Sequence, residues 1–364
     1  MKKVLILSNH DAYTYNFRRE IIQKLIDNNI NVYIVLPYGE KVELLKQMGC
    51  ICINLPLDRR GMNPLADIKL FLNYRSILKE IKPDVVLSYT IKPNIYGGLA
   101  CRILRIPYIA NVTGLGTAVE DHKLVSSFLI FLYKIAFKKI SYIFFQNNEN
   151  LQFFTEKKIG KGKRKLIPGS GVNTNYFELL NYPPDKTIEF MFISRVMKEK
   201  GIDEYLNAAK YIKNKYPFTR FHVLGFCEDK KYEKLLKDMQ KDNIVKYHGM
   251  QKDVREFHKI SHCTIHPTYY PEGMSNVLLE SASSGKPLIT TNRSGCREIV
   301  DDKKNGYLIE ERNSKELIEK IEEFLKLDYE SKKQMGINGR KKVKNEFDRS
   351  IVVKEYMKAI NDLI

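Results

Sequence analysis

The sequence predicts an α/β protein made of two consecutive doubly wound units, each a parallel sheet covered by helices on both faces. Three observations carry this. Short apolar, β-branched runs alternate with helix-period stretches along nearly the whole chain, the pattern of a parallel sheet. The alternation breaks once, around Asn181-Tyr182-Pro183-Pro184-Asp185, and then restarts. At 364 residues the chain is long enough for two domains, each with its own core.

Taken in order, strands are expected at 4–7, 32–36, 51–55, 85–88, 108–112, 142–146 and 165–167. Helices are expected between them at 16–29, 40–48, 64–81, 94–104, 123–139 and 148–158. The second unit should have strands at 190–194, 220–224, 244–247, 263–266, 287–290 and 306–309. Its helices fall near 201–215, 229–241, 252–260, 275–284, 295–300 and 314–326. A charged helical stretch, 331–345, precedes a break at Phe347-Asp348 and a final amphipathic helix, 349–363. This gives a first unit at 1–180, a linker at 181–187, where paired prolines suit a connection, a second unit at 188–346 and a closing segment at 347–364.

Net charge is +18, and the excess is uneven: residues 1–183 carry 26 Lys+Arg against 14 Asp+Glu. A basic excess points to a polyanionic partner, whether nucleic acid, an anionic membrane face or a pyrophosphate. Six scattered cysteines form no disulfide framework, which suits a reducing cytoplasm. The opening Lys2-Lys3-Val4-Leu5-Ile6-Leu7 meets polar Asn9, His10 and Asp11 too soon for a signal peptide. No run of 18 uncharged apolar residues is present, so no helix is expected to span a membrane.

In doubly wound sheets ligands sit beyond the carboxyl ends of the strands, so chemistry should fall in strand-to-helix loops. In the first unit, the loop from Ser8 to Arg19 offers His10, Asp11 and Arg18 as an acceptor surface, or is an ordinary polar loop. Lys92, in Tyr89-Thr90-Ile91-Lys92-Pro93-Asn94, can meet a phosphate or water. Thr113 and Gly114 open Thr113-Gly114-Leu115-Gly116-Thr117, where glycines allow close backbone approach. The 123–139 helix is the most apolar in the chain, with Lys134, Lys138 and Lys139 at its end. With Lys157, Lys158, Lys161 and Lys163-Arg164-Lys165 it can lie against an anionic bilayer, or be a core helix with a basic tail.

The second unit is more telling. Its first strand runs into Arg195-Val196-Met197-Lys198-Glu199-Lys200-Gly201, two cations able to neutralise a diphosphate. Pro271-Glu272-Gly273-Met274-Ser275-Asn276 leads from a strand into a helix whose free N–H groups and positive dipole end suit a phosphate. Glu272 and Glu280 lie eight positions apart, and carboxylates accept hydrogen bonds from vicinal hydroxyls of sugar and ribose. Gly225 and the loop at 247–250 follow neighbouring strands, and Val254 is a softer candidate there. The His258, His262, His266 spacing is broken between helix and strand and does not predict a metal site. Cys296, in Asn292-Arg293-Ser294-Gly295-Cys296-Arg297-Glu298, reads as a packing residue.

These motifs resemble the retaining glycosyltransferases of family 4. The resemblance rests on Arg195-x-x-x-x-Lys200-Gly201, on Pro271-Glu272-Gly273 with Glu280, and on Glu280-Ser281-Ala282-Ser283-Ser284-Gly285-Lys286-Pro287. Pro168-Gly169-Ser170-Gly171-Val172-Asn173 through Phe177 is similar to a further family element, with Ser170 and Asn173 in place of the usual Asn and Asp. The first half resembles the branch that builds bacterial surface glycans on lipid carriers, with Thr113 where many members have histidine. The resemblance implies a GT-B fold, two Rossmann-like domains facing a cleft, with the last helix crossing back to the first. It implies catalytic roles for Arg195, Lys200 and Glu272. By the same resemblance Glu272, Gly273, Met274, Ser275, Asn276, Glu280 and Gly225 would bind a nucleotide sugar, UDP-linked. His10, Asp11, Arg18, Lys92, Thr113 and Gly114 would face the acceptor.

The activity this resemblance implies is transfer of a hexose or N-acetylhexosamine, with retention and without a metal or cofactor, to a polyprenyl-diphosphate-linked saccharide. It would take place at the cytoplasmic face of the membrane, with an anionic membrane surface and no nucleic acid as partner. Two other readings stay open: a UDP-sugar 2-epimerase on the same fold, and a non-enzymatic basic protein binding membrane or nucleic acid.

Overall fold

The computed structural model describes residues 1–58, 61, 63–114 and 123–364. The chain divides into two compact units, Met1–Gly171 with Arg349–Ile364, and Val172–Asp348.

The first unit is a seven-stranded parallel sheet in the order β3-β2-β1-β4-β5-β6-β7. Its strands are β1 (Lys3–Leu7), β2 (Asn31–Leu36), β3 (Ile51–Asn54), β4 (Val85–Tyr89), β5 (Tyr108–Val112), β6 (Tyr142–Phe145) and β7 (Lys163–Leu166). Helices α1 (Asp11–Asp27) and α2 (Val42–Gln47) cover one face, where Ile21, Ile22 and Leu25 meet Val4, Ile6 and Val32. Helices α3 (Pro64–Ile81), α4 (Gly98–Leu104), α5 (Lys123–Ala136) and α6 (Asn148–Glu156) belong to the other, where Leu70, Tyr74, Tyr133 and Phe154 close over Leu5, Leu7 and Val86. The central strands are buried on both faces and therefore read as continuous apolar runs.

Helix α1 starts at Asp11 rather than near residue 16. The His10 Nδ1 accepts the Ala12 N–H at 3.1 Å and caps the helix, and Asp11 sits in its positive first turn. Edge strand β7 starts two residues before the expected 165, because Lys163 and Arg164 pair with Tyr142 and Ile143 despite their charge.

The second unit is a six-stranded parallel sheet in the order β10-β9-β8-β11-β12-β13. Its strands are β8 (Ile188–Ile193), β9 (Thr219–Leu224), β10 (Lys246–Tyr247), β11 (Cys263–His266), β12 (Leu288–Thr291) and β13 (Gly306–Ile309). They alternate with α7 (Ile202–Lys215), α8 (Lys230–Lys241), α9 (Arg255–Ile260), α10 (Asn276–Ser283), α11 (Ser314–Lys326) and α12 (Tyr329–Glu346). No helix forms at 295–300. Glu298 turns back on its own loop, accepting Ser294 Oγ at 3.1 Å and Gly295 N at 2.7 Å, and Gly295 takes φ +89°.

The expected linker at 181–187 lies inside the second unit, whose boundary is at Gly171. Val172 and Phe177 pack into its core beside Leu278 and Phe347. Tyr182 donates to the His262 carbonyl at 3.0 Å, and Lys332 holds Asp185 at 2.7 Å. Lys286, fully buried, donates to the Asn181 carbonyl at 3.3 Å, and burial pulls its ammonium down to about 8. The second unit likewise ends at Asp348, since Val172 N–H bonds to the Phe347 carbonyl at 2.9 Å.

Helix α13 (Arg349–Asn361) belongs to the first unit. Val352, Tyr356 and Ile360, spaced four apart, enter the α1 side of its core. Arg349 is 5% exposed and donates to Glu20 at 2.9 Å, to the Gly171 carbonyl at 3.0 Å and to the Asn16 carbonyl at 2.9 Å. Truncating it leaves Glu20 and two carbonyls without this donor, so Arg349→Ala is expected to destabilise the first unit by about 2–4 kcal/mol. A lowered denaturant midpoint would register it, and an unchanged midpoint would show α13 held by apolar contacts alone.

Candidate functional site

In the second sheet the strand order reverses between β8 and β11, and the loops leaving these two strands emerge side by side. They are sewn together. Tyr269 N–H bonds to the Glu199 carbonyl at 2.9 Å, and Thr268 Oγ1 bonds to the same oxygen at 3.2 Å. Gly201 makes this approach possible: it takes φ +77°, and a Cβ there would stand 2.1 Å from the Pro267 carbonyl oxygen.

This brings together two of the three residues expected to do chemistry. The ammonium of Lys200, its side chain 8% exposed, is hydrogen-bonded to the carboxylate of Glu272. His266 Nε2 lies 3.8 Å from the same carboxylate. Burial alone would raise Glu272, but the Lys200 ammonium and His266 outweigh it and hold the carboxyl down to about 2. Burial keeps His266 below its usual range, so its imidazole is neutral. Tyr270 lies beneath the cations, its ring 4.5 Å from Lys200 Nζ and 5.4 Å from the Arg195 guanidinium. Arg195 itself meets Glu228, whose two oxygens accept from one guanidinium nitrogen at 3.0 and 2.9 Å. Glu228, His266 and Tyr270 are not legible as site residues in the sequence. Glu228 lies in the loop after β9, His266 ends β11 and Tyr270 lies in the loop that follows it, and only the fold puts them beside Arg195 and Lys200.

Gly225 follows β9 with φ +138°, and its missing Cβ would lie 1.8 Å from the Ser194 carbonyl oxygen. Beyond Glu272, Gly273, Met274 and Ser275 are buried, and Ser275 caps α10 by accepting the Leu278 N–H. Asn276 and Glu280 lie on the helix, partly exposed. The Asn276 Oδ1 is buried with no hydrogen-bond partner among the described residues, a state that water or a ligand ordinarily relieves. Cys296 is fully buried and its thiol is pushed up by burial, in keeping with a packing role. The three histidines at 258, 262 and 266 diverge: His262 Nδ1 accepts from Glu189 N–H at 3.1 Å, and His258 packs edge-on to Phe177.

In the first unit the expected acceptor residues are mostly engaged. Asp11 is 5% exposed and accepts the Lys41 N–H at 2.7 Å, so it braces a loop. Arg18 is buried with its guanidinium 4.3 Å from the centre of the Tyr89 ring, a core contact rather than a surface hook. Lys92 bonds to Asp67 at 2.7 Å and lines a cavity of about 230 Å³ with Leu55, Leu57 and Leu70. His10 stacks on Tyr13 at 4.6 Å and remains partly open. Thr113 and Gly114 follow β5, partly exposed, and the remainder of their motif, 115–117, lies outside the described residues. Of the basic run at 163–165, Lys163 pairs with Asp362 at 2.6 Å and Lys165 with Glu355 at 3.5 Å, both within this unit.

Two parallel-sheet α/β units, the second carrying paired cations and a helix N-terminus at its switch point, define a GT-B glycosyltransferase. The chain belongs to the glycosyltransferases: residues 181–342 match the family described as Glycosyl transferases group 1, and residues 3–147 match Glycosyl transferase 4-like. It is 27% identical, over all of this chain and 99% of the relative, to the N,N'-diacetylbacillosaminyl-diphospho-undecaprenol alpha-1,3-N-acetylgalactosaminyltransferase of Campylobacter jejuni. The capsular polysaccharide biosynthesis glycosyltransferase CapM of Staphylococcus aureus is also 27% identical, over 94% of this chain and 93% of its own. Among solved structures, Anabaena HepE in complex with UDP superposes with a TM-score of 0.81 at 18% identity, covering both chains fully.

Proposed function

We propose that this glycosyltransferase moves a hexose or N-acetylhexosamine, with retention, from a UDP-sugar to a polyprenyl-diphosphate-linked saccharide in bacterial surface polysaccharide assembly. The observation that carries the reading is the Lys200–Glu272 pair beside Arg195 at the head of α10. Relatives named for diphospho-undecaprenol acceptors support the acceptor class, and one of them is named for UDP-Gal.

In this reading Lys200, Arg195 and the α10 N-terminus stabilise the departing diphosphate as positive charge grows on the sugar. Glu272, ionised, holds donor hydroxyls, and Glu280 meets the ribose. Lys200 is shared between Glu272 and the diphosphate, so donor binding and leaving-group stabilisation are coupled through one ammonium. Gly225, Gly273, Met274, Ser275 and Asn276 line the donor's course. His10, Thr113 and Gly114 remain candidates on the acceptor side. Two cations and a helix end can carry the diphosphate charge, which is the ground for expecting no dependence on a divalent metal. The enzyme would act at the cytoplasmic membrane face.

UDP at 100 times its dissociation constant should add about 2.7 kcal/mol of stability. The melting temperature should rise equally with and without EDTA, and the rise should vanish in Glu280→Ala. The anomeric configuration of the product, read by NMR, should match the donor's. An inverted product would remove the retaining reading, and a shift abolished by EDTA the metal-free one.

A further inference from the structure

We infer that His266 is the group to which the Glu272 carboxylate is handed when Lys200 turns to the donor diphosphate, which makes His266 a positioning residue for transfer. The inference deepens the reading above and rests on it for the role of Lys200; the geometry behind it does not.

His266 is the last residue of β11 and is 2% exposed. Neither of its ring nitrogens has a hydrogen-bond partner among the described residues. A buried polar group without a partner costs stability, so one that persists calls for a reason. Other buried imidazoles of this unit show the ordinary arrangement. His222 engages both nitrogens, with His248 at 2.8 Å and Glu189 at 2.6 Å. His262 also engages both, with the Glu189 N–H at 3.1 Å and the Pro184 carbonyl at 3.3 Å. His258 is unpartnered like His266, but its ring packs edge-on to Phe177. His266 differs in facing a carboxylate that it does not reach. Its Nε2 lies 3.8 Å from Glu272 Oε1, about 1 Å beyond hydrogen-bond length.

The Lys200 ammonium is bonded to that same oxygen, so two donors converge on Oε1 and one of them is held off. The two differ in freedom. His266 is fixed by its strand: it pairs with Thr290 of β12, and its carbonyl accepts Thr290 Oγ1 at 2.7 Å. Lys200 rides on a flexible four-carbon stem, and its ammonium lies over the Tyr270 ring that also meets Arg195. The ammonium can therefore move toward Arg195 while keeping its contact with the ring. A diphosphate carries more charge than one carboxylate and draws it that way. Glu272 is then a buried anion whose charge is less compensated, and the nearest donor in place is the His266 ring. Nothing bonded to Nδ1 holds the ring proton there, so it can sit on Nε2 and be donated to Oε1. A carboxylate movement of about 1 Å closes the gap. No proton changes hands: the imidazole stays neutral, and Glu272 keeps its charge for the donor hydroxyls. The unsatisfied imidazole of the free protein is what this readiness costs.

His266→Leu fills much of the ring's space without an N–H. The free variant should melt at the wild-type temperature or higher, because an unpartnered buried polar group is gone, yet bind UDP about tenfold more weakly. His266→Gln, which restores an N–H donor, should recover most of that affinity. The chain has seven histidines, few enough for His266 to be assigned in an imidazole ¹H–¹⁵N NMR spectrum by its absence from the leucine variant. In the wild type, UDP should fix the His266 proton on Nε2 and move its resonance downfield. Lys200→Ala should show the same His266 signature with no nucleotide present, since the competing ammonium is gone. A leucine variant that binds UDP like wild type would overturn the inference. So would one that melts lower, because the imidazole would then already be satisfied in the free protein. His266 resonances in Lys200→Ala that match those of the free wild type would overturn it as well. A wild type indifferent to UDP, with the signature present in Lys200→Ala, would instead sink the UDP-sugar reading and leave the hand-off standing.

Discussion

Lys200→Ala is expected to lower kcat/KM by a factor of about 10³, the cost of removing one group that stabilises a charge formed in the transition state. The structure adds a second reason. Lys200 is hydrogen-bonded to Glu272, so its loss strips a largely buried carboxylate of that cation and leaves the neutral His266 beside it. With the Lys200 ammonium gone the Glu272 carboxyl rises, and the carboxylate expected to hold donor hydroxyls loses the cation that positions it. Both kcat and donor affinity should fall. A loss confined to KM would mean that Lys200 binds substrate and transition state equally, and the leaving-group role would go to Arg195 and the helix end.

The same pair fixes a sign for the pH dependence of stability. In the wild type Glu272 is depressed from an ordinary 4.5 to about 2. The stability it contributes is fully present above its unfolded value and is lost as pH falls through about 2. Lys200→Ala removes the leading lowering partner, so the folded carboxyl moves up toward its unfolded value and less stability should be lost as pH falls from about 4 to about 2. Melting curves of the two proteins across that range should diverge in slope, and parallel curves would show that Glu272 does not depend on Lys200 for its charge.

Much of this is legible in the sequence. Strands β5, β11 and β13 and helices α3 and α11 begin and end where periodicity puts them, because buried parallel strands are continuous apolar runs and these helices carry their own caps. The sequence does not reveal which polar groups are consumed by the fold. Arg18 looks like a surface cation but packs on Tyr89, a residue 71 positions away. Lys92 looks like a phosphate hook but is held by Asp67 of α3. The domain boundary departs from its expected place for a related reason. Two prolines mark a turn, but the tethers on 172–185, such as Lys332 with Asp185, are long-range and leave no local trace. Conversely, Arg195, Lys200 and Glu272 are readable because each stands in a loop leaving a strand, close to a glycine or a helix start.

Gly225→Ala is expected to have the second largest effect, on folding as much as on activity. The residue takes φ +138°, outside the region open to L-residues, which costs about 1–3 kcal/mol for any side chain. The added Cβ would also fall 1.8 Å from the Ser194 carbonyl oxygen, so backbone must move, and such overpacking costs about 1–3 kcal/mol more. Ser194 immediately precedes Arg195, so the displacement is transmitted to this cation, proposed to meet the diphosphate, and to the Arg195–Glu228 contact. The melting temperature should drop, and the protein that remains folded should have lost its response to UDP. Gly249→Ala is the matched control. It too has positive φ, +63°, but nothing lies within 4 Å of its Cβ position. It should cost only about 1 kcal/mol, the penalty of a left-handed residue, and keep UDP binding. If the two variants behaved alike, backbone conformation alone would set the demand for glycine, and the close packing of the β8 and β9 loops would not be what holds Arg195 in place.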